Sequence, residues 1–403
     1  MKNIWFVNEY DLPPRFSKFR RRYDTCKYLL KTGKYNLHVI CGTFMHGTGN
    51  KFLNDNPKRQ EIDCDGVKVH ALRGISYSNN IKRIISMFIF AIQVAFFQFK
   101  KDEKPDLIYA SSPHLLAALG AMILAKREKV NFVLELRDLW PETWVQMGII
   151  KKSGIIHRFF LALEKYLYIN ADTIVNLDPM SDYIINLGID EKKIRFVGNG
   201  VDLETFDKKE KLVIPLPKET FNITYTGAIG YANNLDVVLD LAKTINNKNI
   251  VLNIIGYGPF KEKLLKRVQN EKITNIIFYD PVEKKDIPEI LRASDVLIFG
   301  VLDIPLYKNG ASFNKLFEYF ASAKPILFYG DVNPDYIIEA KGGISVKSGK
   351  IEDLTDACLK LYNMSEEERT SIGQNGRKYV TENFDWKYLA TKVDKIIEEN
   401  LKD

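Results

Sequence analysis

The sequence predicts an α/β chain of two doubly wound domains, each a parallel sheet with helices on both faces, set on either side of a central cleft. Three observations predict it. Short runs rich in β-branched and aromatic residues alternate with stretches of helical length, the pattern of βαβ units. The alternation comes in two successive series, with a charged, proline-containing break between them. Several strand-like runs, such as 296–299, are apolar throughout, as strands covered on both faces are. The length of 403 residues suits two to three domains at roughly 150 residues each. With 46% hydrophobic and 27% charged residues, the composition is that of a globular chain and excludes a disordered or collagen-like one.

The first series places strands at 4–8, 37–41, 107–111, 132–136, 173–177 and 194–198. Helices at 20–32, 114–127, 155–170 and 180–187 separate most of them. The second places strands at 221–226, 250–255, 276–279, 296–299, 326–329 and 343–346, with helices at 235–245, 259–269, 285–293, 314–323 and 351–363. The break falls at 202–220, where Lys208, Lys209, Glu210 and Lys211 precede Pro215 and Pro217, a composition ordinary for a linker. The expected division is a first domain over 1–202, a linker over 203–219, a second domain over 220–382 and a C-terminal helix over 383–403. Ligands of open α/β sheets bind beyond the carboxyl ends of the strands, so two facing sheets would put a site in the cleft.

The net charge of +7 comes from 58 Lys and Arg against 51 Asp and Glu, and it is unevenly spread. Residues 1–105 hold 19 basic and 9 acidic side chains; the remainder holds 39 and 42. A basic first quarter suits nucleic acid, a phosphate ligand or an anionic membrane, or else a solvated lysine-rich face. Within it, residues 84–99 carry only Ser86, Gln93 and Gln98 as polar residues, flanked by Lys82-Arg83 and Lys100-Lys101. At 1.5 Å per residue the run is about 24 Å long, short of the ~20 residues that span a bilayer. It reads as a helix buried between sheet and neighbour, or as one lying in a membrane interface with cationic flanks. Cys26, Cys41, Cys64 and Cys358 lack metal or disulfide spacing and read as free buried thiols in a reducing compartment. The N-terminus enters a strand-like run at once, without a secretory signal's charged and apolar regions, so a cytoplasmic location is expected.

The most informative motif is 310–319, GASFNKLFEY, a glycine-containing loop feeding a helix. Free amides at the helix start would cradle phosphate, Lys315 would add a point charge, and Glu318 would accept hydrogen bonds from two adjacent hydroxyls. The same features also suit a capped core helix with solvated Lys315 and Glu318. The run 312–327, SFNKLFEYFASAKPIL, resembles the nucleotide-sugar-binding helix of glycosyltransferase family 4, retaining enzymes of GT-B fold with two Rossmann-like domains. The resemblance implies that Glu318 binds the donor ribose and that Ala311, Ser312, Asn314 and Lys315 bind the diphosphate. The family's second glutamate, eight positions earlier, is Gly310 here, and Asn314-Lys315 matches a variant of the surface-polysaccharide (capsule and O-antigen) subgroup. Residues 221–230, FNITYTGAIG, resemble the strand and glycine loop of the second domain. Gly227 and Gly230 there would allow a tight turn and close backbone approach. Ala228 and Asn233 stand where many relatives have an arginine and a lysine, and Lys315 or Lys308 would replace their diphosphate contacts. Residues 253–258, NIIGYG, resemble the strand and turn near the base, at Gly256, and 197–202 match the strand end before the linker.

In the first half, ELRDLWPE at 135–142 resembles a strand end of the polysaccharide subgroup, at the cleft. Asp138 would orient or deprotonate an acceptor hydroxyl, and Arg137 would neutralise phosphate; both also read as a structural pair. His114, after Ser111-Ser112-Pro113, reads as catalytic or as a helix N-terminal residue. The basic stretch 17–22 reads as a holder of acceptor pyrophosphate or as a solvated helix start. Asp63-Cys64-Asp65 falls in a probable hairpin and reads as chance rather than a metal motif. The resemblance implies a UDP-sugar donor, no obligatory metal or other cofactor, and a C-terminal helix crossing back to the first domain. The expected partners are a UDP-sugar and an undecaprenyl-diphosphate-linked saccharide acceptor at the inner face of the cell membrane, with no nucleic acid. A UDP-sugar 2-epimerase on the same fold and a non-catalytic nucleotide-sugar-binding subunit stay open beside the transferase.

Overall fold

The computed structural model describes residues 1–17, 20–44, 59–75, 80–137, 139–146, 150–245, 249–304, 307, 312–347 and 349–401. The chain divides into two compact units, Met1–Gly198 with Trp386–Asp403, and Asn199–Asp385.

The first unit runs β1 (Lys2–Val7), α1 (Arg21–Leu30), β2 (Tyr35–Gly42), β3 (Arg59–Cys64), β4 (Val67–Leu72), α2 (Asn80–Ala95), β5 (Leu107–Ser112), α3 (Leu115–Glu128) and β6 (Asn131–Leu136). It continues with α4 (Glu142–Gln146), α5 (Ile155–Asn170), β7 (Thr173–Asn176), α6 (Ser181–Asn186) and β8 (Ile194–Phe196). Its sheet has the order β3-β4-β2-β1-β5-β6-β7-β8. Every pairing is parallel except the β3–β4 hairpin, in register at Asp63 and Lys68, so Asp63-Cys64-Asp65 closes an edge hairpin. β1 pairs with β2 on one side and β5 on the other, so the strand order reverses at its carboxyl end, the usual ligand-binding crevice of such sheets.

The second unit runs α7 (Leu203–Phe206), β9 (Phe221–Ala228), α8 (Asp236–Thr244), β10 (Ile250–Tyr257), α9 (Lys261–Glu271), β11 (Ile276–Tyr279), α10 (Ile287–Ala293), β12 (Val296–Gly300) and α11 (Asn314–Ala321). It continues with β13 (Ile326–Tyr329), α12 (Tyr336–Ala340), β14 (Gly343–Val346), α13 (Ile351–Asn363) and α14 (Glu366–Asn383). Its sheet is parallel throughout, in the order β11-β10-β9-β12-β13-β14, and its reversal lies between β9 and β12. α14 opens on a reciprocal Ser365–Glu368 capping box, which satisfies two otherwise unpaired amides.

The last helix, α15 (Trp386–Asn400), belongs to the first unit. Trp386, Leu389, Val393 and Ile397 join the core formed by Ile4, Phe6, Leu37, Val39 and Tyr109. Asn400 Nδ2 donates to Thr173 Oγ1 at 2.9 Å, and the Asn400 carbonyl accepts from Asn131 at 2.9 Å. These bonds fix the helix end on the sheet.

The apolar run 84–99 presents one buried and one exposed face. The helix ends at Ala95, earlier than the run itself. Met87, Phe90, Ala91 and Val94 are buried, while Ile84, Ile85, Phe88, Ile92 and the following Phe96 are exposed, Phe96 by 68%. Phe97 turns inward, edge-on to Trp5. The buried face packs closely against α3: a Cβ on Gly120 would stand 2.4 Å from the Ala91 carbonyl oxygen. Gly120→Ala is therefore expected to push two backbones apart and destabilise the unit by about 1–3 kcal/mol. A lower urea midpoint with an unchanged slope checks this. Of the four cysteines, Cys64 is half-buried and the other three are buried.

Candidate functional site

In the second unit Gly227, Gly256 and Lys315 of the expected donor residues come together at the ends of β9 and β10. The carboxyl ends of β9 and β10 touch back to back. Gly256 has φ +156°, and a Cβ there would lie 1.8 Å from the Gly227 carbonyl oxygen; a Cβ on Gly258 would lie 2.2 Å from that of Ile229. Only glycine tolerates such an approach. Gly227 itself has φ +142°. Gly230 differs from its expected part: its φ of −127° is extended backbone open to any residue, and a Cβ there would meet nothing within 4 Å. The close approach belongs to Gly227, Gly256 and Gly258 instead.

α11 begins at Asn314 after Phe313, which gives its first amides no side-chain acceptor. Uncapped N–H groups at a helix start attract anions. Asn314 is exposed, and Ser312 Oγ accepts from Asn199 Nδ2 at 3.3 Å. Lys315 reaches back over the β9 end. Its Nζ donates to Tyr225 Oη at 2.9 Å and Asn233 Oδ1 at 2.7 Å, and lies 4.3 Å from the Tyr225 ring centre. Asn233 thus holds a lysine that arrives from another element. Burial pulls the Lys315 pKa down to about 7, against a smaller opposing pull from Glu318. Glu318 is part-exposed, one turn into α11, and its Oε1 sits 2.9 Å from Lys284 Nζ. Ala311 and Lys308 lie outside the described residues, as does Gly310.

In the first unit the carboxyl ends of β1, β5 and β6 carry a buried charge network. Glu135 on β6 takes Arg21 (Nη2 3.1 Å), Arg22 (Nη2 3.3 Å) and the Ser111 hydroxyl (2.7 Å). Arg22 also pairs with Asp11 at 3.2 Å, with its guanidinium 4.2 Å from the Phe6 ring centre. Arg21 and Arg22, at the start of α1, are thus neither solvated nor free to hold pyrophosphate. Two buried guanidinium groups require counter-charges, and Glu135 and Asp11 supply them. Burial pushes the Glu135 carboxyl up, but Arg21, Arg22 and Arg137 outweigh it and hold it well below the usual range. Arg137 stands with Nε 3.1 Å from Glu135 Oε1 and Nη2 3.5 Å from Asp11 Oδ1, leaving 19% of its side chain exposed. Asp138 lies outside the described residues.

His114 is the N-cap of α3, and its Nδ1 accepts the Ala117 amide at 3.2 Å. The proton therefore sits on Nε2, which faces Glu9 Oε2 at 2.5 Å. The helix N-terminal reading of His114 holds: it caps α3 and is buried beside Glu9. Glu9, Tyr225 and Lys284 escape sequence reasoning. Their partners lie 105, 90 and 34 positions away, and no local spacing signals such pairs.

Two family models match the chain: "Glycosyl transferase 4-like domain" over residues 30–200 and "Glycosyl transferases group 1" over residues 206–379. An uncharacterised glycosyltransferase of Methanocaldococcus jannaschii is 24% identical over 70% of this chain and 71% of its own length. The putative colanic acid biosynthesis glycosyl transferase WcaI of Escherichia coli is 24% identical over 54% of this chain, and the match spans only 56% of WcaI. Among solved structures, Anabaena HepE in complex with UDP superposes with a TM-score of 0.68 at 13% identity, over 99% of this chain and all of that one. With both halves matched by these models and both sheets in the order described, the chain belongs to glycosyltransferase family 4 and is a glycosyltransferase of GT-B fold.

Proposed function

We propose that this chain moves a sugar from a UDP-sugar to a lipid-diphosphate-linked saccharide, with retention at the anomeric carbon, in surface polysaccharide assembly. The observation that carries this reading is that Lys315, at the uncapped start of α11, reaches the glycine end of β9, with Glu318 one turn further along the same helix. A diphosphate seated there would meet the amides of Asn314 and Lys315 and the Lys315 ammonium. These groups stabilise the charge that develops as the sugar leaves, with no metal obligatory. Glu318 would exchange Lys284 for the ribose hydroxyls. Gly227, Gly230, Gly256 and Ser312 would line the site, and Ala311 would add its backbone amide to the diphosphate contacts. In the first unit, Arg137, Asp138 and His114 would serve the acceptor, with Glu9 orienting His114. The UDP in the HepE structure and the colanic acid role in the name of WcaI support the donor and pathway class.

Proton NMR of product formed from a UDP-α-sugar tests the reaction. An α-linked product, appearing only when acceptor is added, is expected. Epimerised or hydrolysed sugar without acceptor would favour the epimerase reading, and binding without turnover would favour a non-catalytic subunit.

The reading includes attachment to the inner face of the cell membrane, supported by the exposed side of α2. Ile123 of α3, which packs on α2, and Ile155, Ile156 and Phe159 of α5, which packs on α3, are also exposed, as are Lys82, Lys151 and Lys152. Among the described residues no helix is long and apolar enough to cross a membrane. Co-sedimentation with vesicles of anionic lipid is expected for the wild type and not for the triple variant Phe88→Ser/Ile92→Ser/Phe96→Ser. Equal sedimentation of both would reject the membrane attachment.

A further inference from the structure

Lys315 has no counter-charge beside its amine. Its two hydrogen-bond acceptors, the Tyr225 hydroxyl and the Asn233 side-chain carbonyl, are both neutral. Tyr225 is committed on its other side, donating to the Ala228 carbonyl at 2.6 Å, and Asn233 Nδ2 donates to the same oxygen at 3.0 Å. Both acceptors are therefore fixed before any ligand arrives. The Phe299 ring centre, 5.9 Å away, closes another side. Among the described residues no carboxylate lies within ion-pair distance of Nζ.

The titratable groups on the elements packed around it do not supply one. Glu318, on its own helix, is tied to Lys284. On β13, the Tyr329 phenol bonds the Asn233 and Asn234 carbonyls at 3.0 and 2.8 Å. The Tyr319 phenol of α11 accepts the Thr226 amide at 2.8 Å. Burial raises the pKa of Tyr225, Tyr319 and Tyr329, so all three are neutral at pH 7. Asp236 of α8, beyond Tyr329, is paired with Lys263 and Arg267. Gly227 borders the ammonium beside Tyr225: a Cβ there would stand 3.3 Å from both Nζ and the Tyr225 hydroxyl.

We propose that Tyr225 and Asn233 are positioning residues that hold the Lys315 side chain short of a counter-ion, so that a nucleoside diphosphate enters this unit together with a proton taken up by Lys315. The inference rests on the donor-site reading above. The proton comes from solvent and adds to the amine lone pair; no bond of the diphosphate breaks. A desolvated amine with a pKa near 7 is about half protonated at pH 7 and mostly neutral at pH 8. An anion at the site favours the charged form, so the bound pKa lies above the free one. Binding is then strongest toward pH 7 and weakens above it, by up to tenfold per pH unit until the bound pKa is reached.

The test is calorimetry of UDP binding to the full chain at pH 8.0, in two buffers of different ionisation enthalpy, with affinities followed from pH 7 to 9. UDP is fully ionised at pH 8, because its terminal phosphate titrates near pH 6. Close to one proton taken up per UDP is expected for the wild type, with affinity falling as pH rises. Lys315→Arg, permanently charged, should bind with no proton uptake and no slope. Tyr225→Phe and Asn233→Ala each remove an acceptor that favours the ammonium, so the midpoint of the affinity profile should move to lower pH. A merely structural role would not shift that midpoint. UDP binding by the wild type without proton uptake, or equal uptake by Lys315→Arg, overturns this proposal and leaves the donor site standing. Absence of UDP binding in every protein overturns both.

Discussion

Glu135→Ala is expected to lower the stability of the first unit by about 3–5 kcal/mol, enough to unfold it under mild conditions, because it leaves buried guanidinium groups without their shared carboxylate. Glu135 is 1% exposed and faces Arg21 at 6% and Arg22 at 1% side-chain exposure, with Arg137 at ion-pair distance. Asp11 alone would remain to offset three arginines. The pH dependence has a definite sign. A carboxyl held below its unfolded value contributes stability that is fully present above about pH 4.3, the ordinary glutamate value, and is lost as pH falls through the folded value. Wild-type stability should therefore drop on acidification, and Glu135→Gln, less stable at neutral pH, should lose the part of that drop that Glu135 carries. Urea unfolding followed by circular dichroism at pH 7 and down to about pH 2 checks both points. An alanine variant within 1 kcal/mol of wild type would remove the network from the account of the fold.

Glu318→Ala should weaken donor binding by about 1–3 kcal/mol, roughly 5- to 150-fold in affinity, the usual loss for a hydrogen bond to a charged group. The fold should be untouched. The Lys284–Glu318 pair is solvent-accessible, with 50% and 21% side-chain exposure, and exposed ion pairs contribute about 0–1 kcal/mol. A loss of UDP affinity with unchanged thermal unfolding therefore separates binding from stability. Lys284→Ala is the companion variant: it frees the carboxylate without removing it and should keep UDP binding within a few-fold of wild type. Calorimetry with UDP on the three proteins decides it. Equal affinities for wild type and Glu318→Ala would remove the ribose assignment.

The sheets were legible because their strands are fully apolar or β-branched and their helices amphipathic, periodicities that survive in a single chain. The donor helix was legible because its chemistry is local: Lys315 and Glu318 sit one turn apart. Lys315 and Lys308 were readable as two options for the absent basic residues; Lys315 meets Asn233 and Tyr225, and Lys308 lies outside the described residues. What stayed hidden was every feature made by distant pairs. Arg21 and Arg22 look like solvent-facing charges until Glu135, over a hundred positions on, is brought beside them. Gly230 reads like Gly227 in the sequence, and only the packing of β10 against β9 shows which glycine the close approach requires. The run 84–99 shows no clear polar face, because the side exposed on α2 is itself apolar.

The central claim is that a nucleoside diphosphate binds at the strand ends of the second unit. Hydrogen exchange with and without UDP, read by mass spectrometry on the full chain, tests it most directly. The account predicts slowed exchange in three segments together: the β9 end at 226–231, the β10 end at 255–258 and the start of α11 at 312–318. Protection confined to the first unit, or absent from all three segments while UDP binds, would contradict it.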